Sequence, residues 1–236
     1  MSPDKKDPIG AAILAYSSTQ KDGEIIVSSE ICEDDVIAAS YLLRSFEEMP
    51  EIEKIALANC TGNVLDIGAG AGIHASYLQD QGINVDCIDL SPGAVKYMQG
   101  QGLKASTQDF YEISKRYDTL LMMMNGIGIT GTLSNLEHTL EHAKSLLTKN
   151  GKLLCDSTDI KYLYTDDDGA LWVDLNTEYY GNFKFQMHFE EHLTDWFEWL
   201  YVDFNTLSKA ANNVGLNVKL LIEEDHQYLA EITSAD

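Results

Sequence analysis

The sequence predicts an α/β protein built on a mostly parallel sheet of seven strands, closed by an antiparallel hairpin at the C-terminus. A helical cap precedes the sheet and a β-hairpin is inserted late in the chain. Three observations carry this reading. Residues 64–78 run as buried strand, glycine turn and helix; apolar runs with helical stretches between them follow at 85–88, 104–107, 117–124 and 152–156; and two more runs, 216–222 and 228–232, are separated by only five residues. A connection that short cannot hold the crossover a parallel pair needs, so the last two strands must be antiparallel. At 236 residues the chain can bury one proper core but is short for two full domains. Residues 1–60 are taken as a cap on the same domain and 61–236 as its main body, with an insertion at about 159–202.

In the cap, the apolar stretch Ile9 to Tyr16 precedes a small strand, Glu24 to Ser28, and helical segments are expected from Asp34 to Phe46 and from Pro50 to Asn59. Pro50 suits a first helical turn, and Ile52, Ile55 and Ala56 share a face. Further along, Ser91 and Pro92 read as an N-cap with proline at the first helical position, ended by Gly100 and Gly102. The strand 117–124 is apolar throughout, as in a strand buried on both faces. Ser134 to Glu137 has the spacing of a capping box, with Leu136, Leu140, Ala143 and Leu147 at helical spacing and Asn150-Gly151 as a stop. A last helix is expected from about Asn205 to Asn213. Within the insertion, Phe183, Phe185, Met187 and Phe189 alternate with Lys184, Gln186, His188 and Glu190, and Trp196 to Val202 can pair back on them. This hairpin, within 174–202, follows the fifth strand and so emerges at the carboxyl edge of the sheet, where open α/β folds bind ligands.

The chemistry starts at Gly68, Gly70 and Gly72. They permit positive φ and remove the Cβ atoms that would hold a ligand off the backbone, and the turn is expected to offer free N–H groups at a helix N-terminus. Asp89, ending the second strand, is placed to accept from both hydroxyls of a ribose. The turn is shared by two cofactor classes, because Gly70 to Ala75 also satisfies the G-x-G-x-x-A pattern of a dinucleotide fold with an acid about 20 residues on.

Leu65 to Gly72, with Asp66 two residues before a G-x-G-x-G turn, resembles the first motif of the class I S-adenosylmethionine-dependent methyltransferases. Asp89, Asp109-Phe110 and the strand from Tyr117 fall where that family keeps its later motifs, and the terminal hairpin is how its Rossmann-like sheet ends. The resemblance covers the chain from about Val64 onward. It implies S-adenosylmethionine as cofactor, held by Asp66, Gly68, Ala69, Gly70, Gly72, Asp89 and Leu90, with Phe110 stacking on adenine and Asp109 accepting from its amine. Asn125 stands where amino methyltransferases of this class carry N-P-P-Y or D-P-P-Y, but the prolines and tyrosine are missing, so a nucleic-acid amine is not implied as acceptor. Asn125 and Arg44, an arginine between Tyr41 and Phe46 in an acid-rich chain, are expected to reach the methionine end of the cofactor. His74 reads as a helix-surface residue. Tyr179, Tyr180, His188 and Glu190 are the candidates to orient an acceptor or take its proton, in a pocket between the hairpin and the cap.

Composition narrows the partners. With 38 acids against 16 bases the formal charge is -22, which penalises contact with nucleic-acid phosphates and anionic membranes. A small-molecule methyl acceptor is therefore expected. Cys32, Cys60, Cys87 and Cys155 form no C-x-x-C pair, no apolar run approaches the ~20 residues of a membrane span, and the N-terminus leads into no secretory segment. These features point to a soluble protein of the cytoplasm. Asp166 to Asp168 lacks the spacing of a calcium loop, so no metal site is expected. Two other readings remain: an NAD-dependent oxidoreductase, and a non-catalytic protein that binds S-adenosylmethionine.

Overall fold

The computed structural model describes residues 5–165 and 179–235. The elements in chain order are α1 (Pro8–Thr19), β1 (Glu24–Ser29), β2 (Asp35–Ala38), α2 (Glu51–Ala58), β3 (Asn63–Ile67), α3 (Ile73–Asp80), β4 (Asn84–Asp89), α4 (Pro92–Gly100), β5 (Lys104–Thr107), β6 (Tyr117–Met122), α5 (Leu136–Leu146), β7 (Leu147–Thr158), β8 (Asn182–Phe189), β9 (His192–Leu193), β10 (Phe197–Leu200), α6 (Phe204–Asn213), β11 (Leu216–Glu224) and β12 (Gln227–Ser234). Seven of these strands form one sheet in the order β11-β12-β7-β6-β3-β4-β5. The pairs among β3 to β7 are parallel, and β12 lies antiparallel between β7 and β11. The expected mostly parallel, Rossmann-like sheet of seven strands is present, with its last strand slotted inside the penultimate one.

Strand alternation explains why both faces are covered. Successive side chains point to opposite faces. Leu65, Leu120 and Leu153 pack with Leu136, Leu140 and Leu146 of α5 and Leu207 of α6. Their chain neighbours Val64, Leu121 and Leu154 pack with Ile52 and Leu57 of α2, Leu78 of α3 and Met98 of α4. Continuous apolar strands are what a sheet sandwiched between two helical layers requires.

The cap departs from the sequence reading. Residues 35–38 form β2 rather than a helix, and a 3-10 turn, Ala39–Leu43, follows. Val36 and Ile37 are β-branched and pair with Ile26 and Ile25 of β1, so tertiary pairing overrides the helical spacing. β1 in turn pairs with β8 of the inserted hairpin, from Ile26 opposite His188 to Ser29 opposite Phe185. Cap and insertion thus build one second sheet, β10-β8-β1-β2 with β9 on β8. At α5 the expected capping box is not made: Asn135 is the N-cap without a side-chain bond, and Ser134 bonds Thr132 instead. Asp166 to Asp168 and the hairpin positions 174–178 lie outside the described residues.

Two contacts hold the second sheet over the carboxyl edge. Trp199 of β10 lies on Gly128, where an added Cβ would come within 2.1 Å of its indole nitrogen. Met187 and Phe189 pack with Ala11 and Ala12 of α1. Helix α1 is itself pinned to α4: Asp7 caps α1 through Gly10 N–H (2.8 Å) and also accepts from Gly93 N–H at the start of α4 (2.8 Å). Gly10 and Gly93 touch backbone to backbone, so a Cβ on Gly10 would meet Gly93 Cα at 2.6 Å. Gly10→Ala is therefore expected to lose about 1–3 kcal/mol by overpacking. Gly100→Ala, at a helical position with nothing within 4 Å, is expected to gain roughly 0.5–1 kcal/mol. Urea denaturation of the two variants measures this opposition of sign.

Candidate active site

The glycine turn joins β3 to α3. Gly68 (φ +67°) and Gly70 (φ +56°) are left-handed and face open space, with nothing within 4 Å of the position a Cβ would take. Gly72 differs: its Cβ would meet Leu103 at 2.5 Å, so glycine there serves packing. The turn's N–H groups are mostly committed. Those of Gly68 and Ala69 donate to Ile88 O (3.0 and 3.1 Å), that of Gly72 to Ala69 O (2.7 Å), and that of Gly70 to Asp89 Oδ2 (2.7 Å). The expected row of free donors is thus replaced by a turn stitched to the end of β4, and what it presents is backbone surface. Asp89 Oδ1 accepts from Ser91 N–H (2.8 Å), which leaves each carboxylate oxygen a further acceptor site. Burial holds the Asp89 carboxyl above its ordinary value, only partly countered by the Ser91 and Gly70 N–H donors. Leu90, beside it, is 70% exposed, an apolar side chain left uncovered next to the turn.

Asp66 is buried at 2% exposure, and its Oδ2 has no partner. Burial pushes its carboxyl up to about 6, with His74 pulling down and Asp89 pushing further up. His74 is buried too, not on the helix surface, and bonds Glu53 Oε2 of α2 at 2.8 Å. The other Glu53 oxygen is ion-paired to Arg44, whose guanidinium lies 4.0 Å over the Tyr41 ring and donates to Tyr41 O (2.7 Å). Burial raises the Glu53 carboxyl, but His74 and Arg44 outweigh it and hold it below its ordinary value. Arg44 is thus buried in a chain of charges reaching the glycine turn, and its Nε has no partner.

A second strained turn ends β6. Met124 (φ +65°) and Asn125 (φ +56°) are both left-handed, unfavourable for side chains by about 1–3 kcal/mol each. Asp156 of β7 holds them: its carboxylate accepts from Asn125 N–H (2.9 Å), Gly126 N–H (3.2 Å) and Gln227 Nε2 (2.7 Å). Burial lifts Asp156 to about 6, tempered by those donors. Asn125 Oδ1 accepts from Thr158 Oγ1 at 2.7 Å. Asn125 and Thr158 lie on a cavity of about 430 Å³ between the carboxyl edge and the second sheet, walled also by Val27, Phe183, Phe185 and Tyr201. A second cavity, about 390 Å³, shares Ala71 and Gly72 with the turn but reaches none of Asp66, Gly68, Gly70, Asp89 or Asn125.

Other expected site residues lie elsewhere. Phe110 is 5% exposed in the main core, in a T-shaped contact with His142, which leaves no open ring face for adenine. Asp109 caps the following 3-10 turn through Tyr111 N–H. Tyr179 and Tyr180 bond Asp203 and Asp159 and tie the insertion to α6; neither lines the two cavities. His188 projects to the opposite face of β8 from Phe183 and Phe185, and Glu190 is an exposed turn residue at φ +50°. Glu53, Asp156 and the burial of His74 escaped the sequence reading. Asp156 had a usable signal: like Asp89, it is an acid near the carboxyl end of an apolar strand of the sheet.

The comparisons with known proteins decide between the two cofactor classes. Residues 38–219 match the family model described as a methyltransferase domain. The chain belongs to that family. It is an S-adenosylmethionine-dependent methyltransferase of the class I type, as the glycine motif implied. It is similar, at 40% identity over 99% of this chain and 97% of the other with a TM-score of 0.92, to an S-adenosylmethionine-dependent methyltransferase from Bacteroides fragilis solved with S-adenosyl-L-homocysteine. The CcbJ methyltransferase from Streptomyces caelestis shares the fold at 15% identity, covering 81% of this chain and 95% of that one, TM-score 0.62. Among curated proteins, a ubiquinone biosynthesis O-methyltransferase of Xylella fastidiosa is 32% identical over 80 residues, 34% of this chain and about a third (32%) of that relative's length. Among the described residues no helix is long and apolar enough to cross a membrane.

The hold of Asp156 on the strained turn is testable by itself. Asp156→Ala strands one buried and one half-buried N–H group, at roughly 1–3 kcal/mol for the buried one, and should lower stability in urea denaturation by at least about that much. Adding Met124→Gly should recover about 1 kcal/mol, because glycine takes positive φ without strain.

Proposed function

We propose that this methyltransferase holds its donor on the turn Gly68 to Gly70 and its acceptor in the cavity beside Asn125. The observation that carries the reading is adjacency. β3 and β6 are hydrogen-bonded neighbours, and their carboxyl ends lead into the open glycine turn and into the Asn125 turn that lines the cavity. S-adenosylmethionine, when bound, supplies a methyl group on a sulfonium and leaves as S-adenosylhomocysteine. The residues present fit it. Asp66 Oδ2, an acceptor buried without a partner two residues before the turn, matches the ammonium of an amino-acid end, whereas Arg44 is committed to Glu53 and Tyr41 and lines the other cavity. The Asp89 carboxylate has acceptor sites left for ribose hydroxyls, and exposed Leu90 offers an apolar surface for a base, with Asp109 following Gln108, whose N–H donates to Asp89 O. Gly72 and Phe110 support the site from the core.

What the chain contributes to the transfer is position and exclusion of water, which suffices for much of the rate of an in-line displacement. The second sheet roofs the carboxyl edge, Trp199 closes it over Gly128, and Asp156 fixes Asn125 at the border of the two sites. The acid-rich surface, with a charge of -22, favours a small molecule over nucleic acid as acceptor. Four free cysteines, three of them buried, suit a reducing cytoplasm.

Calorimetric titration with S-adenosylhomocysteine tests the donor half. Asp89→Ala is expected to weaken binding about 10-fold to 100-fold, through roughly 1–3 kcal/mol for unpaired hydroxyls. The affinity should also follow Asp66: its carboxyl, near 6 in the free protein, must ionise to hold an ammonium. Binding therefore falls about ten-fold per unit as pH drops below 6 and is level above it. Asp66→Asn should bind weakly with no such slope. Unchanged affinity in a folded Asp89→Ala protein contradicts the placement.

A further inference from the structure

The cavity that receives the acceptor has a one-signed lining. Among the described residues its charged members are Glu33 and Asp34, on the loop into β2, and Asp35, which opens β2, and no described lysine, arginine or histidine lines it. Its walls include four aromatic rings, those of Tyr162, Phe183, Phe185 and Tyr201. Leu163 is 45% exposed on the cavity wall, and Tyr162, 46% exposed, has one ring face stacked on His226. The volume, about 430 Å³, falls within the roughly 300–1,000 Å³ of small-molecule sites. Rings facing an organic ligand, with carboxylates and no opposing cation, form the environment that stabilises a positive nitrogen on an apolar frame. An anionic acceptor would meet three like charges, and a neutral alcohol would draw nothing from them.

Resting on the assignment of this cavity to the acceptor, we propose that the acceptor is an organic amine. It enters as its ammonium form, with the ring or chain that bears the nitrogen packed among Phe183, Phe185 and Tyr162. Asp35 is the carboxylate best placed to take the proton, because it pairs with Val27 of β1 and both residues line the cavity. With that proton on Asp35, the amine lone pair is free. The nitrogen then gains the methyl carbon, the pair of the broken carbon–sulfur bond stays on sulfur, and the second N–H proton leaves to water. The net charge of -22 adds a long-range field that draws cations toward the molecule.

Three probes of one shape test this: cyclohexylamine, cyclohexanol and cyclohexanecarboxylate, titrated by calorimetry at pH 7 into the full chain saturated with S-adenosylhomocysteine. The amine is expected to bind at least about ten-fold more tightly than the alcohol, and the carboxylate not at all. In the double variant Glu33→Gln, Asp35→Asn, whose positions are exposed, the amine should fall to the alcohol's affinity while S-adenosylhomocysteine binds as before. Phe185→Ala should weaken amine and alcohol together. An alcohol that matches the amine, a carboxylate that binds, a double variant that keeps the preference, or no binding by the amine overturns the proposal and leaves the donor site standing. Failure of S-adenosylhomocysteine to bind wild type overturns the donor assignment instead.

Discussion

The hydrogen bond from Gly70 N–H to the Asp89 carboxylate, 2.7 Å long, is the interaction on which the site depends. It joins the ends of two neighbouring parallel strands, and it does so with an ionisable group rather than with backbone. Gly68 and Ala69 donate to Ile88 O on the same strand, so the turn is stitched to β4 at three consecutive residues. A turn held so firmly can afford two left-handed glycines facing empty space. The Asp89 carboxylate, oriented by Gly70 and Ser91, keeps further acceptor sites on both oxygens. The same device recurs at Asp156, where a buried carboxylate gathers the N–H groups of a strained turn on β6. Two acids at strand ends thereby fix the donor turn and the border of the acceptor cavity.

The second constraint is long-range. Strand β1 near the N-terminus pairs with β8, about 160 residues later, and the sheet they share covers the carboxyl edge. This sheet has the asymmetry its task requires. Phe183 and Phe185 face the cavity, Met187 and Phe189 pack with α1, and His188 projects to the opposite face. The contact of α1 with α4 through Asp7, Gly10 and Gly93 anchors the roof to the helix that follows Asp89. Donor turn and roof are thus mechanically linked through one buried carboxylate.

The cofactor half was legible because its signals are local: apolar runs, a glycine turn and an acid at a strand end each need only a few consecutive residues. The seven strands of the main sheet and the helices between them follow that logic. The cap was misread between Asp34 and Phe46, where helical spacing competes with a pairing to β1 that no local pattern announces. Phe110 looked like a ligand-facing aromatic, but period and composition do not say which side of a turn a ring takes, and the core beside His142 claimed it. The arginine at 44 was rightly seen as unusual, yet its bond to Glu53 lies across nine residues and two elements. His74 became buried for the same reason: its partner comes from the cap. Tyr179, Tyr180, His188 and Glu190 suit the chemistry by residue type; in the fold Tyr179 and Tyr180 bond Asp203 and Asp159, and none of the four lines either cavity.

The central claim is that donor and acceptor meet at the carboxyl edge, between the glycine turn and the second sheet. Hydrogen–deuterium exchange of the full chain, with and without saturating S-adenosylhomocysteine, tests it most directly because it reads every segment at once. The account predicts slowed exchange in peptides spanning Asp66 to Gly72, Asp89 to Gly93 and the segment around Asn125, with the outer strands β9 and β11 unchanged. Protection confined to the cavity lined by Phe46, Tyr77 and Tyr97, with the turn at Gly68 to Gly70 and the end of β4 unaffected, would contradict it.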